Sequence, residues 1–277
     1  MIIIPKRLDW KMHIDVPSSI KDADFTPKSL RSNPKINFVV STCERSPEYI
    51  HKMMATMYMG GFPADHNISL VVSGTKTDYL DCYKHLPNIR IYKYNDDEWE
   101  KIKILPMKFR ASYNYIQCLS ISENENSLIF EDDIIFQNNW LSKMYKCISS
   151  IESEGNEKYI LSLFCPNKHQ TTKSFAKMPR VTWAGTQAVF YPKLALDVIR
   201  PFVKSITDSV SRIQSEPSNP LYLNAYDMLV KECCILEEID IMTPCESLVQ
   251  HIGNQTVGGT GQNIMISPIF HSKLRID

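Results

Sequence analysis

The chain has 277 residues and equal numbers of basic and acidic side chains, 31 of each, which argues against a protein built mainly to bind nucleic acid. A hydrophobic content of 43% supports a packed core in one large domain or two small ones, and no apolar run reaches the roughly 20 residues that span a bilayer. The eight cysteines form no C-x-x-C pair, which argues against the usual zinc and disulfide patterns and favours free thiols in a cytoplasmic protein.

The first half of the chain predicts alternating strands and helices. Residues 1–35 contain four prolines and little periodicity, so we expect an irregular arm there. Apolar, β-branched runs then predict strands at residues 36–41, 68–72, 89–92 and 127–130, and helical periodicity predicts helices from residue 46 to Gly60-Gly61 and over residues 106–121. This alternation predicts an α/β fold with a mostly parallel sheet flanked by helices.

The second half predicts further helices and strands of the same domain, over residues 36–277. Helices are expected at residues 140–152, 195–203 and 222–233, a buried strand at 159–164, and a strand–loop–strand unit at 181–191. In a mostly parallel sheet, ligands bind beyond the carboxyl ends of the strands. The residues after the predicted strands are therefore the first place to search for a site.

Three consecutive carboxylates, Glu131-Asp132-Asp133, follow the apolar run Leu128-Ile129-Phe130. Like charges a few ångströms apart raise one another's pKa, and a divalent cation removes that cost. Mg²⁺ and Mn²⁺ prefer oxygen ligands and commonly join one or two carboxylates to substrate phosphates. The triplet therefore predicts a site for Mn²⁺ or Mg²⁺, and the alternative is a solvated acidic turn.

Three segments resemble the glycosyltransferases of the GT-A fold. Residues 128–133 are similar to the family's DXD-type motif in its form of a hydrophobic strand followed by Glu-Asp-Asp, and residues 38–45 resemble the first strand and its exit, where these enzymes hold the nucleoside. Residues 244–253 resemble the P-S-L-x-Q-H-x-G signature of N-acetylglucosaminyltransferase IV-like enzymes, from which Cys245-Glu246 depart.

This resemblance implies a Rossmann-like GT-A domain that moves a sugar from a nucleoside-diphosphate sugar, with a UDP-sugar favoured, to a hydroxyl acceptor. It also implies a metal held by Asp133, by Glu131 or Asp132, and by His251, since a late histidine often completes the site in this family. A neutral imidazole suits Mn²⁺ beside carboxylates. A histidine after an apolar run is also a common structural residue.

The resemblance further assigns residues to the donor and to the acceptor. Asp227 is similar to the carboxylate that takes the acceptor's proton in an inverting enzyme, and its alternative role is a favourable interaction with the dipole of a helix first turn. Gly185 lies in a segment like the family's small-residue loop, which lines the sugar pocket, or in a simple β-turn. The residues expected to contact the donor are Thr42, Arg45, Lys108, Arg110, Asn114, Asp132 and Gly185.

Two other functions stay open on the sequence alone. A sugar nucleotidyltransferase shares this layout, but such enzymes usually carry a glycine-rich basic loop after the first strand, and residues 42–45 contain no glycine. The second alternative is a non-catalytic module that binds a nucleotide sugar or a glycan. The P-loop and G-x-G-x-x-G patterns are absent, which argues against kinases and dehydrogenases.

The acceptor and one glycine-rich loop are also left open. Residues 258–261 hold three of the nine glycines, which suits either a loop that closes on the donor or a flexible connector. A saccharide is the favoured acceptor, and a lipid-linked glycan, a protein side chain and a hydroxymethylated base in DNA are the alternatives.

Overall fold

A computed structural model describes residues 35–45, 49–121, 125–165, 173–183, 185–214 and 226–253. The predicted arm up to residue 34 and the loop at residues 258–261 lie outside these residues. Among the described helices, none combines the length and the apolar character needed to cross a membrane.

The strands are β1 Ile36–Thr42, β2 Ile68–Val72, β3 Ile89–Tyr92, β4 Asn126–Glu131, β5 Ile134–Phe136, β6 Tyr159–Ser162, β7 Phe175–Met178, β8 Ala188–Tyr191, β9 Asp240–Pro244 and β10 Val249–His251. The helices are α1 Tyr49–Met59, α2 Asp96–Lys103, α3 Met107–Ser120, α4 Trp140–Ser153, α5 Lys193–Gln214 and α6 Tyr226–Leu236.

The main sheet has the strand order β3-β2-β1-β4-β8-β6-β9-β7. The pairs β3–β2, β2–β1, β1–β4 and β6–β9 are parallel, whereas β8 is antiparallel to both of its neighbours and β7 is antiparallel to β9. The predicted mostly parallel α/β sheet is therefore confirmed. The chain adds β2 and β3 on one side of β1 and β4 on the other, so the order of strands reverses between β1 and β4. Ligands bind at such a reversal in open α/β sheets.

Helices cover both faces of the sheet because successive side chains of a strand point to opposite faces. Phe38 of β1 and Phe130 of β4 belong to a core that includes residues of α1 and α4. Val39 and Ile129, the adjacent residues on the same strands, belong to a second core with residues of α3, α5 and α6. Burial on both faces explains why β1 and β4 read as continuous apolar runs in the sequence.

A separate two-stranded ribbon is formed by β5 and β10. The strands are antiparallel, with Ile134 opposite His251 and Phe136 opposite Val249. Because β5 follows the acidic triplet directly, this pairing places His251 beside the carboxyl end of β4. The ribbon joins residues that are more than a hundred positions apart in the chain, so no local sequence signal predicts it.

Some sequence-based predictions of elements were wrong. Residues 180–182 form a 3₁₀ turn and not a strand, because the Arg180 side chain donates from Nε to the Ile239 carbonyl at 2.8 Å and from Nη2 to Asp240 Oδ1 at 2.6 Å. Helix α5 is much longer than predicted and runs through Pro201. The missed elements are α2, β5, β7, β9, β10 and a 3₁₀ turn at Asp78–Tyr83. Residues 222–225 of the last predicted helix lie outside the described residues.

Candidate metal centre

The acidic triplet lies at the carboxyl end of β4, next to the reversal point of the sheet. Strand β4 pairs with β1 up to the register Ser41–Glu131, and the Glu131 amide donates to the Gln187 carbonyl at 2.8 Å. The backbone of Glu131 is thus held on both sides, by β1 and by the residues that precede β8. The chain then leaves the sheet through Asp132 and Asp133 and enters β5.

Asp132 is buried and is bound by two residues from the end of β1. Thr42 donates from Oγ1 to Asp132 Oδ2 at 2.7 Å, and Arg45 donates from Nη2 to Asp132 Oδ1. The Arg45 guanidinium also lies over the ring of Tyr49, 4.7 Å from its centroid. Burial is the main reason that the pKa of Asp132 rises to about 6, and the charge of Arg45 opposes this rise. Asp132 therefore has a positive partner supplied by the protein.

Asp133 is bound by the same arginine and by the histidine of the ribbon. Its Oδ2 lies 3.1 Å from Arg45 Nη1 and 3.3 Å from His251 Nε2. Burial alone would raise the pKa of Asp133, but His251 and Arg45 lower it below its usual value. Burial would lower the pKa of His251, but Asp133 raises it. Each of the two residues thus favours the charged form of the other.

Gly253 closes the site next to this pair. A Cβ atom at this position would lie 2.3 Å from Asp133 Oδ2 and 3.1 Å from His251 Nε2, so any larger residue would displace one of them. The chain is held here by the amide of Ile252, which donates to the Asp133 carbonyl at 2.8 Å. The glycine thus allows the backbone to pass directly over the carboxylate.

Glu131 is bound by neutral hydroxyl groups from two other parts of the chain. Thr186, just before β8, donates from Oγ1 to Glu131 Oε1 at 3.1 Å, and Tyr226, the first residue of α6, donates from its hydroxyl to the same oxygen at 2.8 Å. Burial and the charge of Asp133 raise the pKa of Glu131 to about 7, well above its usual value. Unlike Asp132, Glu131 has no arginine or lysine partner among the described residues.

Glu131, Asp133 and His251 fit a divalent cation. One ligand atom from each of them lies within 4.8 Å of the other two, and carboxylate oxygens with an imidazole nitrogen are a donor set that Mn²⁺ accepts. Asp133 Oδ1 is also buried without a hydrogen-bond partner among the described residues. A buried acceptor without a donor is costly, and a cation would satisfy it.

The other residues that were predicted to contact the nucleotide-sugar donor differ in how deeply they are buried. Asn114 of α3 is buried beside the ends of β1 and β2, where its Nδ2 donates to Ser41 Oγ at 2.8 Å. Arg110, one turn earlier, is half-buried, and Lys108 is exposed, with no described contact to the acidic triplet. Gly185 has a φ of +100°, which favours glycine, and lies directly before Thr186. The predicted contacts of these residues with a donor stay predictions.

Asp227 follows Tyr226 in the first turn of α6. Its Oδ1 accepts a hydrogen bond from the amide of Met228 at 2.9 Å, which agrees with the alternative that the carboxylate stabilises the start of the helix. Because the preceding residue binds Glu131, Asp227 also belongs to a segment that contacts the candidate metal centre. Its proposed role as a base is not decided by this geometry.

Sequence reasoning missed Thr186, Tyr226 and Gly253 as site residues. Thr186 and Tyr226 stand in segments whose local pattern signals only a turn and a helix start, so nothing marks them as partners of Glu131. Gly253 lies in the segment that resembles the P-S-L-x-Q-H-x-G signature, and its match to the final glycine of that signature is the signal that could have identified it as a site residue.

No protein-family model matches the chain, and no curated protein matches it either. Crystal structures of S. aureus TarS show a weak structural likeness. One shares 13% identity with a TM-score of 0.48 and covers 79% of this chain and 37% of TarS. Another, of TarS 1-349 in complex with UDP-GlcNAc, shares 14% identity with a TM-score of 0.45 and covers 83% of this chain and 60% of that one. The chain thus spans less than two thirds of these TarS chains. A likeness at this level leaves the activity to be argued from the site.

Proposed function

We propose that the protein is a metal-dependent glycosyltransferase that moves a sugar from a nucleoside-diphosphate sugar to a hydroxyl acceptor. The observation that carries this proposal is the meeting of Glu131, Asp133 and His251 within 4.8 Å, at the carboxyl edge of a mostly parallel sheet. An acidic site next to a strand reversal suits a ligand that is bound through its phosphates and a cation.

In this proposal Glu131, Asp133 and His251 hold Mn²⁺ or Mg²⁺. The bound cation would neutralise the charge that develops on the departing diphosphate. Arg45 pairs with both aspartates, so it keeps their charges balanced and stands at the point where a donor phosphate would approach. Thr42 fixes Asp132 through its hydroxyl. We assign Thr42, Arg45 and Asp132 to the nucleoside side of the donor.

The remaining assignments extend this proposal to the sugar and the acceptor. Lys108, Arg110 and Asn114 of α3 would face the donor, and the positive φ of Gly185 suits a close approach of backbone to the sugar. Asp227 would accept the proton of the acceptor hydroxyl if the enzyme inverts the anomeric centre. A UDP-sugar is the favoured donor, a saccharide the favoured acceptor, and the cytoplasm the favoured location.

Residues 244–253 support a relation to N-acetylglucosaminyltransferase IV-like enzymes only through their sequence. Of these residues, His251 and Gly253 contribute to the site, where they lie against Asp133. UDP-GlcNAc is therefore one donor to test first, and it is also the ligand named for one of the TarS structures.

The test is a screen of UDP-, GDP-, CMP- and dTDP-sugars with the purified full chain in Mn²⁺, in Mg²⁺ and in EDTA. We expect at least one donor to be hydrolysed slowly and to stabilise the fold, by about 2.7 kcal/mol at a hundred times its Kd. Both effects should require the cation. Absence of hydrolysis together with absence of binding for every donor would contradict the proposal.

A matched pair of variants makes the screen specific. Asp133→Asn keeps the shape of the side chain but removes the charge that the cation needs, so we expect loss of cation binding and of turnover. Asp65→Asn makes the same chemical change at a side chain that is 89% exposed and distant in sequence from the site, and it should behave as the parent.

The two alternative functions predict other outcomes. Release of pyrophosphate from a nucleoside triphosphate and a sugar phosphate would favour the nucleotidyltransferase. Donor binding without turnover would favour the non-catalytic module.

A further inference from the structure

Two hydroxyl groups meet on one oxygen of Glu131. The donors are Thr186 Oγ1, at 3.1 Å, and the Tyr226 hydroxyl, at 2.8 Å, and both bind Oε1. Thr186 is 1% exposed and Tyr226 is half-buried, so both contacts are partly shielded from solvent. They come from two segments that are separate in the chain, the residues before β8 and the start of α6.

Tyr226 is itself fixed by a second tyrosine. Its ring stacks on Tyr115 of α3, with centroids 4.5 Å apart and planes inclined by 21°. The hydroxyl of Tyr115 is in turn hydrogen-bonded to that of Tyr191 at the end of β8, at 2.5 Å. Tyr115 and Tyr191 are fully buried. The hydroxyl that reaches Glu131 is therefore presented by a ring with little freedom to move.

We propose that Tyr226 and Thr186 are positioning residues that fix the carboxylate of Glu131 so that its Oε2 atom is presented to the cation. This inference rests on the proposed function, since it concerns the same metal centre. Hydrogen bonds that orient a ligating carboxylate raise the affinity of the site for its metal, and their removal typically costs about 10–100-fold in that affinity.

The arrangement also links the cation to the acceptor side of the site. Tyr226 directly precedes Asp227, the carboxylate that we assign as the base. A hydrogen bond from Tyr226 to Glu131 therefore fixes the first turn of α6 relative to the metal ligands. A loss of this bond should affect the affinity for the cation first, and transfer to an acceptor as a consequence.

The experiment measures the binding of Mn²⁺ alone to the full chain, by calorimetry and by the spin-resonance signal of free Mn²⁺. We expect Tyr226→Phe to raise the Kd for Mn²⁺ by about 10-fold or more. Tyr159→Phe is the control: it removes a buried tyrosine hydroxyl at the start of β6, with no described contact to Glu131, Thr186 or Tyr226, so it should leave this Kd unchanged. Saturating Mn²⁺ should restore donor hydrolysis by Tyr226→Phe.

Thr186 supplies the second pair of variants, which is needed if Tyr226→Phe does not fold. Thr186→Val removes the donor and should weaken Mn²⁺ binding, whereas Thr186→Ser keeps a hydroxyl and should retain it. An unchanged Kd in Tyr226→Phe and Thr186→Val, or an equal loss in Tyr159→Phe, would overturn the inference while leaving the proposed function intact. A parent protein that binds no Mn²⁺ would overturn both the metal dependence and this inference.

Discussion

The first two carboxylates of the acidic triplet are held in chemically different ways. Asp132 is bound by the positive charge of Arg45, whereas Glu131 is bound by the neutral hydroxyls of Thr186 and Tyr226. A buried carboxylate with an arginine partner has its charge balanced inside the protein. A carboxylate that receives only neutral donors either takes up a proton, as the raised pKa of Glu131 indicates, or binds a cation from solution, which would replace that proton.

The sequence leaves Glu131 and Asp132 as equal alternatives for the carboxylate that binds the metal beside Asp133, and this difference distinguishes them. Glu131 belongs to the group of side chains whose ligand atoms meet His251, and Asp132 does not. We therefore favour Glu131 as the metal ligand and Asp132 as a structural partner of Arg45. The following predictions, in order of decreasing effect, test whether Glu131 and Asp132 really differ.

The largest effect is expected from Arg45→Met. The side chain of Arg45 is 14% exposed, so its removal leaves the buried Asp132 without a positive partner and leaves Asp133 paired with His251 alone. A loss of this kind typically costs about 3–5 kcal/mol, measured as the free energy of unfolding in urea without added metal. Arg90→Met at an exposed position of β3 is the control and should change stability by less than about 0.5 kcal/mol. Equal stability of Arg45→Met and the parent would show that Asp132 is not balanced by this arginine.

The second effect is a dependence of stability on pH in the absence of metal. The pKa values of Glu131, at about 7, and Asp132, at about 6, lie above those of the unfolded chain, and that of His251 is also raised. Between pH 5 and 8 the folded state therefore holds protons that the unfolded state has released. Raising the pH through this window should lower stability, by an amount of the order of 2 kcal/mol.

Thermal unfolding in EDTA at several pH values measures this dependence. Glu131→Gln cannot titrate and should flatten the decline, while saturating Mn²⁺ should reduce it because the cation replaces the protons. A melting temperature that rises steadily from pH 5 to pH 8 in EDTA would contradict the raised pKa values and with them the description of the Glu131 end.

The smallest effect on stability is expected from Gly253→Ala. The added Cβ would meet the end of the Asp133 side chain at 2.3 Å, and a side chain can move more easily than backbone, so the cost should be about 1 kcal/mol. The displaced Asp133 should nevertheless lose most of the affinity for Mn²⁺. Gly155→Ala is the control, since its strain arises from a φ of +79° with no atom within 4 Å. It should lower stability without changing Mn²⁺ binding.

The sequence predicted best the half of the sheet that is formed by the parallel strands β1 to β4. The apolar runs of β1, β2 and β4 and the polar residues that follow them are local signals, and they sufficed to predict a parallel sheet and an acidic site at its edge. The strands at the other side were harder. Strand β7 is short and lies at the edge, and β9 ends in Pro244, a residue that argues against a strand.

The partners of Glu131 could not be predicted because they are brought together only by the tertiary fold. Thr186 and Tyr226 are 55 and 95 residues away from Glu131 in the chain. One local signal that was missed is the capping box of α2, in which the Asn95 side chain accepts from the amide of Glu98. The cation-binding geometry depends on pairing between distant segments, for which a single sequence carries no direct evidence.

The ribbon of β5 and β10 has a consequence for the protein during its synthesis. A nascent chain that ends at Pro244 already contains both carboxylates, but it lacks His251, which arrives with the partner of β5. If the proposed cation binds at this site, it would stabilise chains whose ribbon has paired more than the earlier intermediates. When the metal is supplied, finished molecules should therefore become more resistant to proteases than chains that end before His251.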